Sequence, residues 1–162
     1  MKYLYNALKI SFTEQLLLPF LDKVLFDIAI PKMQLTSIDD RIWKEDPAEY
    51  IRRQDEENAN YYLKYAAKDL FEAVCKKVDS QGVSYLMHFL QYCQACFVNK
   101  VDPRNNKPVD LLKREVLLWG IACESGSILK IANFENQVEM IIEAYVLPEL
   151  TNNLGFLRVR AC

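Results

Sequence analysis

The sequence predicts an all-α protein built of antiparallel helix pairs, and three observations carry that expectation. Helix breakers are scarce, with 4 Gly and 6 Pro in 162 residues, and every Pro falls near a predicted helix end or in a loop; long segments are therefore left uninterrupted. Apolar residues recur at helical spacing in six stretches. Short runs of turn-forming residues separate most of these stretches. With 51% hydrophobic residues, the chain can bury the core of one ordinary domain.

The first helix is predicted from Leu4, Ala7, Leu8 and Phe12. The second opens at Pro19, a residue tolerated in a first turn because its missing N–H would be an orphan there. It runs through Phe20, Val24, Leu25 and Ile28 and is expected to stop before Pro31. A charged insertion follows over about 36–57. The third helix, about 58–78, carries a stripe of Leu63, Ala66, Ala67, Leu70, Phe71, Val74 and Val78, with Lys64, Lys68, Asp69, Glu72 and Lys76 opposite. After the turn Asp79-Ser80-Gln81-Gly82, a fourth helix over about 83–99 aligns Leu86, Phe89, Leu90, Cys93, Cys96 and Phe97. Residues 101–108 read as a loop. The fifth helix, about 109–124, points Leu112, Val116, Trp119 and Cys123 inward and ends at Ser125-Gly126-Ser127. The sixth, about 134–146, uses Val138, Ile141, Ile142 and Tyr145 and is expected to end at Pro148. Residues 153–162 read as the start of a further helix.

The helices thus form pairs over about 2–31, 58–99 and 109–147. A pair-to-pair period of about 40 to 50 residues matches HEAT-type repeats, so the expected architecture is a HEAT-repeat α-solenoid fragment. A four- to six-helix globular bundle gives the same pattern. The chain opens in a helix and stops inside one, with neither end capped by a polar face, so it is expected to be a piece of a longer solenoid.

Charge and reactive side chains narrow the function. The net charge of −2 argues against general nucleic-acid binding. Residues 39–57 hold eight acids and four bases, an acidic patch that suits a basic partner or a basic face of the same protein. Cys75, Cys93, Cys96, Cys123 and Cys162 read as reduced thiols, four of them within helical patterns. No signal peptide is visible, and no apolar run approaches the roughly 20 residues that span a bilayer. One histidine, His88, rules out a His-based triad or a multi-histidine metal site. Cys93-Gln94-Ala95-Cys96 lies on an apolar helical stripe without a second ligand pair. No phosphate loop or catalytic motif occurs, so no catalytic residue, metal or cofactor is expected.

The insertion has its own logic. Asp46 before Pro47 suits the cap and first turn of a short helix. Trp43, Tyr50 and Ile51 can pin the segment to its scaffold, which leaves Asp39, Asp40, Glu45, Asp46 and Glu49 for a basic ligand. The plainer alternative is a segment whose aromatics serve packing alone.

The run Ile42-Trp43-Lys44-Glu45-Asp46-Pro47-Ala48-Glu49-Tyr50-Ile51-Arg52 resembles the W-x-E-D-P-x-E-Y-I-R signature of the importin-β (karyopherin-β) superfamily, most like its importin seven/eight branch. Val24 to Pro31 is similar to the helix that precedes that signature. Glu139-Met140-Ile141, Val146-Leu147-Pro148 and Leu154 to Cys162 resemble its E-Y-M … V-F-P … L-G-Y-M-R-A-R-A-C, and Asp102-Pro103-Arg104 resembles a D-P-R between them. The matches keep their order over about residues 18–162. Two departures stand out: no Pro-Ser/Thr break follows Arg53, and the stretch from Arg104 to Trp119 is long for the family.

The resemblance implies a HEAT-repeat nuclear transport receptor, with no enzymatic activity and no cofactor. Its implied partners are basic cargo proteins, the small GTPase Ran in its GTP form and Phe-Gly nucleoporins, with shuttling between cytoplasm and nucleus. It implies an inner acidic loop of Asp39, Asp40, Glu45, Asp46 and Glu49, anchored by Trp43, Pro47, Tyr50, Ile51 and Arg52. It also implies that Arg158 and Arg160 act as inter-repeat ladder residues paired with acids of a neighbouring repeat. A helical-repeat scaffold outside transport, such as a phosphatase-regulatory or assembly factor, remains the competing reading.

Overall fold

The computed structural model describes residues 1–55, 62–131 and 135–162. It divides into two compact units, Met1–Phe71 and Glu72–Cys162, and both are built of helices.

In the first unit, the opening stretch forms two helices, α1 (Lys2–Ala7) and α2 (Ser11–Leu17). Thr13 Oγ1 donates to Ala7 O across the break at 2.6 Å. The break takes α2 out of register with the stripe predicted from α1, so Phe12, expected inward, is 71% exposed. Pro19 sits in a 3-10 turn, Leu18–Phe20, ahead of α3 (Leu21–Lys23). A π-type turn, Val24–Ala29, then leads into α4 (Ile30–Met33). The helical path therefore does not stop before Pro31, as the sequence rule predicts. Pro removes one donor and crowds the carbonyl four residues back; the wider turn before it loosens that segment of the ladder. Leu21, Leu25, Ala29, Ile30 and Met33 are fully buried along this run.

The described part of the charged insertion, expected as a loop, is helical, because its capping residues start two short helices. Thr36 caps α5 (Ser37–Glu45), and α6 (Pro47–Asp55) follows after the single residue Asp46. The described part of the third predicted helix is α7 (Tyr62–Cys75); its predicted start at 58–61 lies outside the described residues. On α7 the stripe Ala66, Ala67, Leu70, Phe71 and Val74 is buried, while Leu63 and Val78 at its predicted ends are exposed.

The second unit begins with the last turn of α7. Asp79 Oδ1 accepts from Gln81 N and Val83 N, and Asp79 Oδ2 lies 2.8 Å from His88 Nε2, which ties the turn to α8 (Tyr85–Val98). Gly82 supplies the positive φ of 80° that the turn needs. Residues 101–108, read as a loop, make a two-stranded hairpin, β1 (Val101–Asp102) and β2 (Lys107–Pro108). Next come α9 (Leu111–Cys123), α10 (Ser125–Ile128) and α11 (Glu135–Ile141). Ser125-Gly126-Ser127 therefore opens a further helical turn. A second π-type turn, Ile142–Val146, precedes α12 (Leu147–Leu150), and α13 (Gly155–Ala161) closes the chain. Pro148, expected to end the sixth helix, stands in the first turn of α12. It follows its π-type turn at the same spacing that Pro31 keeps from the first.

Helix α8 packs on α9 and on residues 142–146, where the Phe97 and Tyr145 rings stack at 4.8 Å; α9 packs on α13. Among the described residues, no helix is long and apolar enough to cross a membrane.

Candidate protein-binding segment and the arginine ladder

The insertion is organised by local capping. Thr36 and Asp39 form a capping box: Asp39 N donates to Thr36 Oγ1 at 3.2 Å, and Thr36 N donates back to Asp39 Oδ2 at 2.6 Å. Such reciprocal bonds satisfy backbone donors that a helix start leaves orphaned. Asp46 does double duty. Its N–H donates to Ile42 O at the end of α5, and its Oδ1 accepts from Glu49 N at 3.0 Å at the start of α6. Pro47 holds the first position of α6, where no N–H is needed. Across this corner the Trp43 and Tyr50 rings meet edge to face, with centroids 5.3 Å apart and an interplanar angle of 88°. Such a pair contributes roughly 1 kcal/mol beyond the area it buries. Tyr50 is buried and Trp43 half-buried, but Ile51, predicted as an anchor, is 43% exposed.

The acids do not share one environment. Asp39 is 1% exposed, and Lys64 of α7 approaches its Oδ2 at 3.3 Å. Its Oδ1 has no hydrogen-bond partner among the described residues. Asp39 is therefore part of the interior, contrary to its predicted place on a ligand-facing surface. Asp40, Glu45 and Asp46 are exposed and Glu49 half-buried. Asp40 pairs with Lys44 at 2.7 Å and Glu49 with Arg52 at 2.6 Å, each along its own helix. The Asp40–Lys44 pair, exposed on both sides, contributes at most about 1 kcal/mol.

The two arginines near the C-terminus take different contacts. Arg160 Nε donates to Glu115 Oε1 of α9 at 2.7 Å, and its guanidinium lies 4.8 Å from the centroid of Trp119. Arg158 Nη1 donates instead to the backbone oxygen of Asn152 at 2.7 Å. Asn152 in turn donates to Glu149 Oε2, and Arg114 of α9 reaches Glu149 Oε1. Glu115 and Glu149 are essentially without solvent contact, at 1% and 0% exposed. Two ion pairs, each on a buried carboxylate, therefore tie α9 to α12 and α13.

Sequence reasoning missed Lys64, Arg114, Glu115 and Glu149. Lys64 was assigned to the polar face of α7, but it is buried in register with Ala67 and Phe71, where it meets Asp39 of α5, a non-local fact. Glu115 carried a weak signal, because it sits between Arg114 and the inward Val116 and one turn before Trp119.

Burial pushes the Cys96 thiol up to about 11, and burial also raises those of Cys75 and Cys93. Among the described residues, no group of three or more His, Cys, Asp or Glu is placed to hold a metal ion.

The fold is an all-α, helical-repeat-type scaffold with an exposed acidic corner and inter-helix ion pairs on buried carboxylates. Known sequences refine that class. The chain is 27% identical over 162 residues to an importin beta-like SAD2 homolog from Arabidopsis thaliana, covering 99% of this chain and 15% of that protein. It is 27% identical over 160 residues to human importin-8, covering 99% of this chain and 14% of that protein. A probable importin-7 homolog from Dictyostelium discoideum is 24% identical over 162 residues, covering 99% and 15%. No family model and no solved structure matches the chain. These similarities support placing the chain in the importin-β family, as a relative of one segment of those proteins.

Proposed function

We propose that the chain contributes a scaffold segment and an acidic corner to a nuclear transport receptor. In this reading the receptor carries cargo through nuclear pores under control of Ran in its GTP form, engages Phe-Gly nucleoporins and shuttles between cytoplasm and nucleus. The supporting observation is the likeness to importins across 99% of this chain. The exposed Asp40, Glu45 and Asp46, with the half-buried Glu49, are suited to a basic surface on cargo or Ran, because a single-sign patch steers oppositely charged partners.

The test is a pull-down of Ran loaded with GTP, and of a basic cargo, by the receptor that contains this segment. Binding of both, with Ran-GTP releasing or recruiting the cargo, is the expected result. A receptor that binds neither would sink the transport reading.

A second reading follows from the internal pairing of Asp39 with Lys64, Asp40 with Lys44 and Glu49 with Arg52: the segment only braces its own scaffold. Reversing Asp40 and Glu45 to Lys, which leaves the Asp46 cap of α6 in place, separates the two. Lost partner binding at unchanged thermal stability supports the surface role; lost stability at unchanged binding supports bracing.

A further inference from the structure

We infer that the apolar face of α2 and of the 3-10 turn after it is an interface through which two copies of this chain pair about a two-fold axis. The inference rests on the composition and extent of that face and not on the transport reading.

The face arises where the opening stretch breaks. Leu8 before the break and Leu21 after the 3-10 turn are buried, at 2% and 0% exposed, whereas the large apolar residues between them turn outward. Phe12 and Leu16, four residues apart on α2, share one side of that helix, and they are 71% and 60% exposed. Phe20 stands four residues further on, at the end of the 3-10 turn, and is also exposed. Ile10 and Leu18 flank this line and are exposed as well. A single outward leucine is ordinary, but five large apolar side chains gathered in so short a stretch mark a contact surface.

The area suits a dimer. With roughly 200 Å² for a whole side chain of this size, the exposed parts of the five present on the order of 500 Å². A standard interface takes about 800 Å² from each partner, and in homodimers about 65% of it is apolar. The apolar share required is therefore again about 500 Å².

The composition selects a second copy as the occupant. No exposed residue from Ile10 to Phe20 is charged: the exposed polar side chains are Ser11 and Gln15, and the one acid, Glu14, is half-buried. A partner of opposite charge is steered by a patch of one sign, and a lipid surface is held by Lys and Arg along the polar side of a helix. This stretch offers neither. A two-fold pairing sets the same patch against itself, and an uncharged face can do so without like-charge repulsion.

Sedimentation equilibrium of the 162-residue chain tests the pairing. The expected result is a monomer–dimer equilibrium that approaches twice the 18.9 kDa of one chain as the concentration rises to about 100 µM. Phe12→Asp combined with Leu16→Asp should weaken the dimer at least about a hundredfold, because the change removes four apolar side chains from the paired faces and sets carboxylates against each other. The neutral pair Phe12→Gln and Leu16→Gln should weaken it less, with unchanged far-UV circular dichroism, so that lost pairing is not mistaken for lost fold. Leu111→Asp combined with Leu129→Asp, at exposed apolar positions of the second unit, adds the same charge and should change the dimer by less than about threefold. A chain that remains monomeric up to about 100 µM, one that grows past a dimer without closing, or equal effects of the two Asp pairs would overturn the inference.

Discussion

Arg160 on α13 and Glu115 on α9 form a buried ion pair at 2.7 Å, with the guanidinium held against the Trp119 ring at 4.8 Å. Glu115 Oε2 has no hydrogen-bond partner among the described residues, so the acid depends heavily on that one arginine. Arg160→Ala should therefore destabilise the chain by about 3–5 kcal/mol, the usual result of stranding a buried charge. Arg160→Lys should recover only part of this, because an ammonium supplies neither the planar fork nor the stacking face. Urea denaturation of the three proteins checks both expectations. A loss under about 1 kcal/mol for Arg160→Ala would show that solvent reaches Glu115.

Lys64 and Asp39 offer a parallel case. Lys64→Met leaves Asp39 buried with Thr36 as its partner, and should cost about 3–5 kcal/mol. Adding Asp39→Asn should restore stability, since a neutral amide keeps the capping oxygen and removes the stranded charge. A double-mutant cycle reads the coupling directly. Additive losses would mean the two side chains do not interact.

The corner between α5 and α6 should respond locally. Asp46→Ala removes the side-chain acceptor for Glu49 N and should cost about 1 kcal/mol, with the loss concentrated in α6. Hydrogen exchange at the amides of Glu49 and Tyr50 checks this. Faster exchange at Glu49 with no change in α9 is the expected pattern.

Asp79 predicts an acid-range effect. Its carboxyl is held below the ordinary value of 3.8, chiefly by the Val83 N–H, against the opposing effect of burial, with help from His88 and the Gln81 N–H. A folded-state value below the unfolded one stabilises above the unfolded value, and that contribution is lost as pH falls through the folded value. The stability gap between the wild-type chain and Asp79→Ala should therefore be full near pH 5 and should narrow steadily below about pH 4. A gap that stays constant down to about pH 2 would remove the carboxylate from this role.

What could be read in the sequence was mostly local. The Asp46-Pro47 start of α6 was legible because a cap and its proline need only neighbours in the chain. Ala66, Ala67, Leu70, Phe71 and Val74 were legible because burial on α7 follows one helical stripe. Phe12 was misread because nothing near it announced the break after α1. The two prolines were misread because the rule that proline ends a helix assumes an α-helical turn before it. Burial of Lys64 and Asp39 was out of reach, since it depends on how α5 and α7 meet. The hairpin at 101–108 looked like a loop because its strands are only two residues long.

The π-type turns before Pro31 and Pro148 have a consequence for how this chain tolerates changes in length. A π-type turn spends one residue more than an α-turn to close its ring. Deleting a single residue within 24–29 or 142–146 would shrink the wide turn to an ordinary one, while the helix on either side kept the faces it now buries. The same deletion in the middle of α7 or α9 would rotate everything beyond it by about 100° and turn the buried stripe toward solvent. Single-residue gaps should thus be absorbed just ahead of the two prolines and rejected inside the long helices.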